Sequence, residues 1–498
     1  MVPRLARALV AAAAVVALSG IAAQAAPAPV TEAPQAAALI PVNSQMGRLR
    51  LPYTCAFPIL GKQTLGLDLQ GTFTTLLAPG QKYWFTDGKA NIEVPSNLAS
   101  LLAGLGAAYI DATVSSFTIN AVNASPASVN ALPNGLVLKN IPVTAGQKTV
   151  IPIAGPLTVG PFTAGPSGMA ALKMGGAKAS IKLKAKNGAT LPIPLDVSCA
   201  APVPDVVLAG INIGTAGDAT NGAPSHGGLY TYPAVDLDHQ QGSGKVPLVC
   251  QFPAPIGERT LTLTFTGDAG TVYGQGEKFY LKRASAYLEV PGPVVDALRA
   301  RFPTATSVRT SISRFDIDSS GASPASLNVA GSGWTLPAQP LTAGTTLGMR
   351  IPGSDYITAG PFTAGAPGLM RLEVGVSAGT VSFLGAGGTQ VGSLSISCAK
   401  RVPAVVIVPL VSAKPDPIKP VVSFLPPATG KTAGGEFATL TGIGLDQIRE
   451  VYFGDVAAPY LAVGNGIVVV ETPPHAAGKV TVTVRALNGT TTTPFTYT

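Results

Sequence analysis

Charged residues are scarce in this chain of 498 residues. They make up 12% of it, roughly half of the usual share in globular proteins. The net charge is only +8, and no run of lysines and arginines is interleaved with aromatic residues, as it would be in a nucleic-acid interface. We therefore expect no nucleic-acid partner. Hydrophobic residues make up 46%, which excludes a disordered chain, and the length predicts about three domains.

Residues that carry out chemistry are also scarce. The histidines number three, His226, His239 and His475, and all of them fall outside the two repeated segments described below. A Ser-His-Asp triad would have to borrow one of them from a linker. The chain contains no H-E-x-x-H motif. We therefore predict no catalytic residues and no cofactor.

A hydrophobic run long enough to span a membrane is absent from the sequence. The N-terminal candidate, Ala8 to about Leu18, falls short of the roughly 20 residues that a span needs. It follows Arg4 and Arg7 and precedes the small residues Ala23-Gln24-Ala25, which is the pattern of a secretory signal peptide. Residues 1–25 are therefore predicted to be removed, leaving a protein that is secreted, extracellular or cell-wall associated, without a membrane span. A retained membrane anchor is the alternative.

The chain contains two copies of one segment. A Cys-x-Phe-Pro motif opens each copy, at Cys55 and at Cys250, and a further cysteine closes each copy, Cys199 and Cys398. The order of the matching blocks is kept, and their offset stays between about 195 and 200 residues. We interpret residues 47–208 and 245–410 as two repeats of one domain. Two blocks recur without change, Ala124–Ser128 at Ala322–Ser326 and Gly160–Gly165 at Gly360–Gly365.

Hydrophobic alternation predicts β-structure in both repeats. Leu65, Leu67 and Leu69 alternate with Gly and polar residues, and the same pattern recurs in the second copy over Leu261–Phe265. Alternation of this kind places one face of a strand on a core and the other face in solvent. Many short runs separated by Gly and Pro favour a sandwich or a partly open barrel. One short helix per copy is expected, near Leu98–Leu105 and Val294–Arg301.

The four cysteines allow three pairings. Because each repeat has one cysteine on its first strand and one on its last, we expect Cys55–Cys199 and Cys250–Cys398. In an oxidising compartment each bridge would close a loop of about 145 residues and add roughly 5 kcal/mol on the chain-entropy model. The alternative, a four-thiolate metal site, lacks any C-x-x-C pair.

The C-terminal segment follows a different pattern. Pro426-Pro427, Gly434-Gly435 and Val451–Gly454 mark short strands and turns, and Lys479–Arg485 alternates with three valines on one face. The series resembles an IPT/TIG Ig-like domain over residues 419–498. The resemblance implies a spacer or adhesion module. The predicted fold class is therefore all-β, with two related disulfide-stapled β-sandwich-like modules in tandem followed by an Ig-like β-sandwich.

The two repeats also resemble a known family. Residues 47–410 are similar to a tandem pair of an uncharacterised secreted domain family of actinobacteria, with the opening Cys-x-Phe-Pro and the closing Cys. The resemblance implies export and architecture, and it implies no activity. Residues 26–46 are predicted to form a Pro/Ala-rich tether. Residues 209–244 and 411–418 are predicted linkers between modules that need not pack on one another.

Two acidic clusters resemble metal sites only in part. Asp316-Ile317-Asp318 begins like a calcium loop, but Leu327 stands where that loop needs a bidentate glutamate. Asp236, Asp238 and His239 fall in a predicted linker, where no fixed geometry is expected. We therefore predict no metal site.

Three functions are compatible with these features. A non-enzymatic cell-surface or extracellular structural or adhesion protein is favoured, with a cell-wall polymer or another surface protein as partner. The alternative is a cell-wall or polysaccharide-binding protein that contacts sugars through Tyr83 and Trp84, although core packing would also account for these aromatic residues. An uncharacterised hydrolase using Glu93 and Glu289 is less favoured, because glycoside cleavage needs two carboxylates flanking one bond.

Overall fold

The computed structural model describes residues 40–214 and 235–498, except residues 354, 416 and 465. Most of these residues form β-strands, and the α-helices among them are two short ones, one in each repeat. The all-β fold class predicted from the alternation pattern is therefore confirmed. The predicted signal peptide, most of the predicted tether and His226 lie outside the described residues.

The first repeat is a curled β-sheet with one helix. Its main strands follow the order β9-β4-β2-β1-β11-β10-β5-β8, and strands from both ends of this order contribute to one hydrophobic core, so the sheet curls around that core. The helix is α1 (Ser96–Gly104). The strands are β1 (Ser44–Phe57), β2 (Gly61–Thr74), β3 (Leu76–Leu77), β4 (Lys82–Val94), β5 (Tyr109–Val122), β6 (Ala124–Ser125), β7 (Ser128–Asn130), β8 (Leu136–Pro142), β9 (Thr149–Ala164), β10 (Gly168–Lys184), β11 (Thr190–Cys199) and β12 (Val207–Ile213).

The second repeat has the same strand order and the same helix position. Its helix is α2 (Gly292–Arg301), and a short 3-10 turn spans Ala386–Gly388. The strands are β13 (His239–Gln251), β14 (Glu258–Gly270), β15 (Val272–Gly274), β16 (Lys278–Val290), β17 (Ser307–Ser320), β18 (Ala322–Ser323), β19 (Ser326–Asn328), β20 (Trp334–Thr335), β21 (Gln339–Pro340), β22 (Leu347–Ile351), β23 (Ile357–Ala364), β24 (Gly368–Leu384), β25 (Gln390–Cys398) and β26 (Val406–Ala413).

The C-terminal module is a sandwich of two sheets. One sheet has the order β27-β29-β33-β32 and the other β28-β35-β34-β30-β31, and their inner faces share a core in which Phe453, Phe495 and Tyr497 meet edge to face. This confirms the predicted Ig-like sandwich. The strands are β27 (Val421–Phe424), β28 (Thr429–Gly430), β29 (Phe437–Ile443), β30 (Ile448–Phe453), β31 (Val456–Ala457), β32 (Tyr460–Gly464), β33 (Ile467–Glu471), β34 (Gly478–Ala486) and β35 (Gly489–Tyr497).

Each repeat is closed by a disulfide between its first and last sheet strands. Cys55 on β1 lies opposite Cys199 on β11, and Cys250 on β13 lies opposite Cys398 on β25. The paired Cα atoms are 3.9 and 4.0 Å apart. Each of these strand pairs is only two residues long in its hydrogen-bonded register, so the covalent bond holds the sheet together where its ladder is shortest.

The two repeats are joined by a direct pairing of their first strands. Residues Ser44–Arg50 of β1 run antiparallel to His239–Lys245 of β13, with Gly47 opposite Gly242 at the centre. When the opening cysteines of the repeats are aligned, Gly242 is the counterpart of Gly47. The same stretch of the two repeats therefore pairs with itself in antiparallel direction. This is the arrangement of an isologous interface in a twofold symmetric dimer.

Packing across this seam is reciprocal as well. Leu76 of β3 lies in the core of the second repeat, and Val272 of β15, the equivalent short strand, lies in the core of the first. The repeats thus pack tightly on one another, which corrects the expectation of separated modules. Strand β12 ends at Ile213 and β13 begins at His239, and both ends lie inside the segment 209–244 predicted as a linker.

Candidate functional site

The aromatic pair Tyr83 and Trp84 lies on β4, where successive side chains point to opposite faces of the sheet. Tyr83 is 2% exposed and packs against Phe162, with ring centroids 5.5 Å apart. Burial raises the pKa of its hydroxyl. Trp84 is half-buried. Since Tyr83 is buried and Trp84 is only partly so, the predicted sugar contact would depend on Trp84.

The glycine that opens the recurring block Gly160–Gly165 packs against this aromatic position. A Cβ added at Gly160 would come within 2.9 Å of the Trp84 indole, and the φ angle of Gly160 is +134°. At the equivalent Gly360, φ is +140° and Tyr280 takes the place of the indole at 2.8 Å. Both positions require glycine for steric and conformational reasons. The recurrence of this glycine is therefore accounted for by packing.

The two glutamates proposed for a hydrolase lie in ion pairs. Glu93 is paired with Arg50 at 2.6 Å and with Lys148 at 3.2 Å. In the second repeat, Glu289 is paired with Lys245, the counterpart of Arg50, at 2.9 Å. In each repeat the two partners lie on strands that flank a third strand, β2 in the first repeat and β14 in the second. Their geometry is that of structural ion pairs.

The segment before β13 carries the charged contact with the Ig-like module. Asp238 is 5% exposed, and its carboxylate accepts a hydrogen bond from the Thr271 hydroxyl at 2.5 Å. The same carboxylate lies 3.1 Å from Nη1 of Arg449 on β30. Burial raises the pKa of Asp238, against the opposing effect of Arg449. The expectation of an exposed, unstructured position for Asp238 is therefore corrected, because the Ig-like module covers it.

Further contacts fix the Ig-like module against both repeats. Next to Asp238, His239 Nε2 lies 3.8 Å from a carboxylate oxygen of Glu450. On the first repeat, the Ser96 hydroxyl donates to the carboxylate of Glu471. Leu487 of the Ig-like module is buried in the core of the first repeat. These contacts are polar and apolar together, so the module is docked on the repeats.

The carboxylates of the segment that resembles a calcium loop lie in ion pairs. Asp316 lies 2.6 Å from Arg314 and Asp318 lies 2.6 Å from Lys400, so each carboxylate has a cationic partner. Among the residues that the structure describes, no group of three or more His, Cys, Asp or Glu side chains is arranged to hold a metal ion. Across the same residues, no helix is both long and apolar enough to cross a membrane.

Comparisons with known proteins identify two parts of the chain. A family model for the IPT/TIG domain matches residues 420–498, and a model for a family of unknown function (DUF6801) matches residues 52–209, within the first repeat. The predicted resemblance to the IPT/TIG domain is thus confirmed, and the predicted resemblance to an uncharacterised family is confirmed for the first repeat. Among curated proteins, none matches this sequence.

Two solved structures show only a distant likeness. The first is a protein from Corynebacterium diphtheriae described as membrane anchored, with 10% identity, 91% of this chain and 95% of that chain covered, and a TM-score of 0.21. The second is the BSP domain of a biofilm associated protein, with 7% identity, coverages of 90% and 81%, and a TM-score of 0.13. Scores this low support no argument about fold or function.

Proposed function

We propose that this chain is a secreted, non-enzymatic protein of the cell surface or extracellular space, with a structural or adhesive role. The observation that carries the proposal is the pairing of β1 with β13, which joins both repeats into one sheet of 26 strands within the described residues. With the Ig-like module docked on it, this sheet holds its exposed faces at fixed positions. Such a body is suited to presenting surfaces to a cell-wall polymer or another surface protein.

Several features support an extracellular location. Disulfides such as Cys55–Cys199 and Cys250–Cys398 persist in oxidising compartments and are rare in the cytosol. The N-terminal sequence has the pattern of a secretory signal peptide. The C-terminal IPT/TIG domain is the kind of module that exported bacterial proteins use as a spacer or adhesion unit.

The non-enzymatic role is supported by the arrangement of the acidic groups. Catalysis needs groups with shifted pKa values that converge on one point. Glu93 and Glu289 lie in separate repeats, and each forms an ion pair with a basic residue of its own repeat. This arrangement favours stabilisation of the sheet over chemistry.

The test uses the mature chain purified from culture supernatant. We expect it to co-sediment with cell envelopes of the native host and to leave polysaccharide, ester and peptide substrates unchanged. Variants Glu93→Gln and Glu289→Gln should alter stability only. Turnover of an envelope substrate that disappears in either variant would replace this proposal with the hydrolase, and failure to associate with envelopes would remove the adhesive role.

A further inference from the structure

We propose that the outer face of β10 and its neighbours β5 and β11 in the first repeat binds a linear anionic polysaccharide. This face is named here the lysine face. It is defined by Lys178, Lys182 and Lys184 on β10, together with Lys139 on β8, the strand on the far side of β5, and Lys186 in the turn that follows β10. The inference rests on the proposed extracellular function and identifies a ligand class for it.

The lysines form a line because of the β-sheet period. Residues 178, 180, 182 and 184 share one face of β10, since alternate side chains of a strand point the same way. With a rise of about 3.3 Å per residue, Lys178 and Lys184 stand roughly 20 Å apart along the strand. Lys178 and Lys182 are exposed, and no ion pair holds either of them within the described residues. A line of positive charges suits a ligand whose negative charges also recur along a line.

The acidic residues on this face leave an excess of positive charge. Asp111 lies 2.6 Å from Lys184, and this hydrogen bond is the main reason that the pKa of Asp111 is held below its usual value. Asp196 lies opposite Ser180 on β11. The face therefore carries five lysines against two aspartates. Lys184 is the lysine held by Asp111, so the others are available for a ligand.

Hydroxyl groups between the lysines favour a sugar polymer. Ser180 stands between Lys178 and Lys182, with Thr113 opposite it on β5, and both side chains are exposed. Hydroxyls can both donate to and accept from sugar hydroxyls. Tyr109, 37% exposed and opposite Lys184, adds an aromatic ring at one end of the line. Charge, hydroxyls and an aromatic ring on one sheet face match an acidic polysaccharide.

The second repeat supplies an internal comparison on the same backbone. Ala177 lies opposite Cys199 and Ser377 lies opposite Cys398, so the two β-ladders can be aligned residue by residue. At the matching positions the second repeat has Ala378 for Lys178 and Ser382 for Lys182. One cation, Arg309, replaces Asp111 there, and the rest of that face is mainly serine and threonine. The fold does not require the lysines, so their presence on one copy needs another cause.

The binding test uses the full mature chain and three variants. Polygalacturonate, a linear polysaccharide with a carboxylate on each sugar, is the probe, and neutral dextran is its control. In the first variant, Lys178→Gln with Lys182→Gln, we expect Kd to rise about tenfold at 50 mM NaCl, because two exposed charge contacts are lost. The matched control, Lys62→Gln with Lys479→Gln, removes the same charge from other surfaces and should bind like the unaltered chain.

The third variant transfers the face to the second repeat. Ala378→Lys with Ser382→Lys is expected to raise the number of polygalacturonate sites, measured by calorimetry, from one to two per chain. Raising NaCl to 300 mM should weaken binding in all forms, because salt screens exposed charges. Equal losses in the first variant and the matched control would overturn the lysine face and leave only nonspecific attraction.

Two further outcomes separate this inference from the proposed function. Association with host envelopes that is unchanged by Lys178→Gln with Lys182→Gln would reject the lysine face and leave the surface role standing. Tighter binding to double-stranded DNA, or to vesicles of half phosphatidylglycerol and half phosphatidylcholine, than to polygalacturonate would reject the polysaccharide as the ligand. Circular dichroism of each variant confirms that the fold is kept, since every substituted lysine is exposed.

Discussion

Replacing Arg449 with methionine is expected to weaken the docking of the Ig-like module. The substitution would leave the carboxylate of Asp238 buried, at 5% exposure, with the Thr271 hydroxyl as its remaining hydrogen-bond donor. Removing one partner of a buried ion pair typically costs about 3–5 kcal/mol, because the other charge stays in a poorly solvated place. Urea unfolding followed by intrinsic fluorescence, together with limited proteolysis across residues 411–418, measures the loss.

The same interface offers a matched control. Arg485 lies 3.0 Å from Glu450, and its side chain is 56% exposed. An exposed pair of this kind contributes only about 0–1 kcal/mol. Arg485→Met should therefore leave docking nearly intact. If Arg449→Met costs no more than Arg485→Met, the Asp238–Arg449 pair does not hold the module and the reasoning fails.

The pH dependence provides a second check on this pair. The groups that face Asp238 are Thr271, Arg449, His239 and Glu450, and burial raises its pKa in the folded chain. A raised folded pKa means that the folded state binds the proton more tightly, so this contribution to stability is present at low pH and is lost as pH rises through the folded pKa. The defect of Arg449→Met should accordingly shrink as pH falls, since a protonated Asp238 needs no cationic partner.

Three other predictions concern the first repeat and the bridges. Gly71→Ala should cost about 1–3 kcal/mol in urea unfolding, because its Cβ would lie 2.0 Å from the Phe85 ring, whereas Gly104→Ala meets nothing within 4 Å and should be neutral. Tyr83→Ala should lower the free energy of unfolding by about 3–5 kcal/mol, because it truncates a core side chain. Trp84→Ala should act mainly on sugar binding, measured in a glycan array. Loss of sugar binding in Tyr83→Ala with loss of stability in Trp84→Ala would refute both roles. Non-reducing peptide mapping should recover the linked pairs Cys55–Cys199 and Cys250–Cys398. A disulfide between the two repeats would contradict this prediction.

Local patterns were enough to predict the fold class and its elements. Alternation over Leu261–Phe265 corresponds to the buried face of β14, and the predicted helix at Val294–Arg301 is α2, which starts two residues earlier. The start differs because Pro291 and Pro293 favour the first turn, a signal that the apolar pattern alone does not carry. These features depend on neighbours along the chain, which the sequence displays directly.

The candidate surfaces were harder to predict from the sequence. The lysines of β10 alternate visibly at Lys178, Lys182 and Lys184, so their common face follows from the strand period once the strand is recognised. That most of these lysines lack an acidic partner cannot be predicted from the strand period, because it depends on which residues of β5 and β11 lie opposite them. The partner of Asp238 was also invisible, since Arg449 lies in a different module.

The sequence by itself determined the two repeats, their cysteine pairs, the strand periodicity and the C-terminal Ig-like module. Each of these is encoded by residue spacing or by recurrence of a local pattern. Only the tertiary structure decided that Gly47 meets Gly242 in a pseudo-twofold seam, that Arg449 covers Asp238, and that the lysine face stands open. Those arrangements depend on strand register and module docking between distant segments, which many sequences of the same local pattern could satisfy differently.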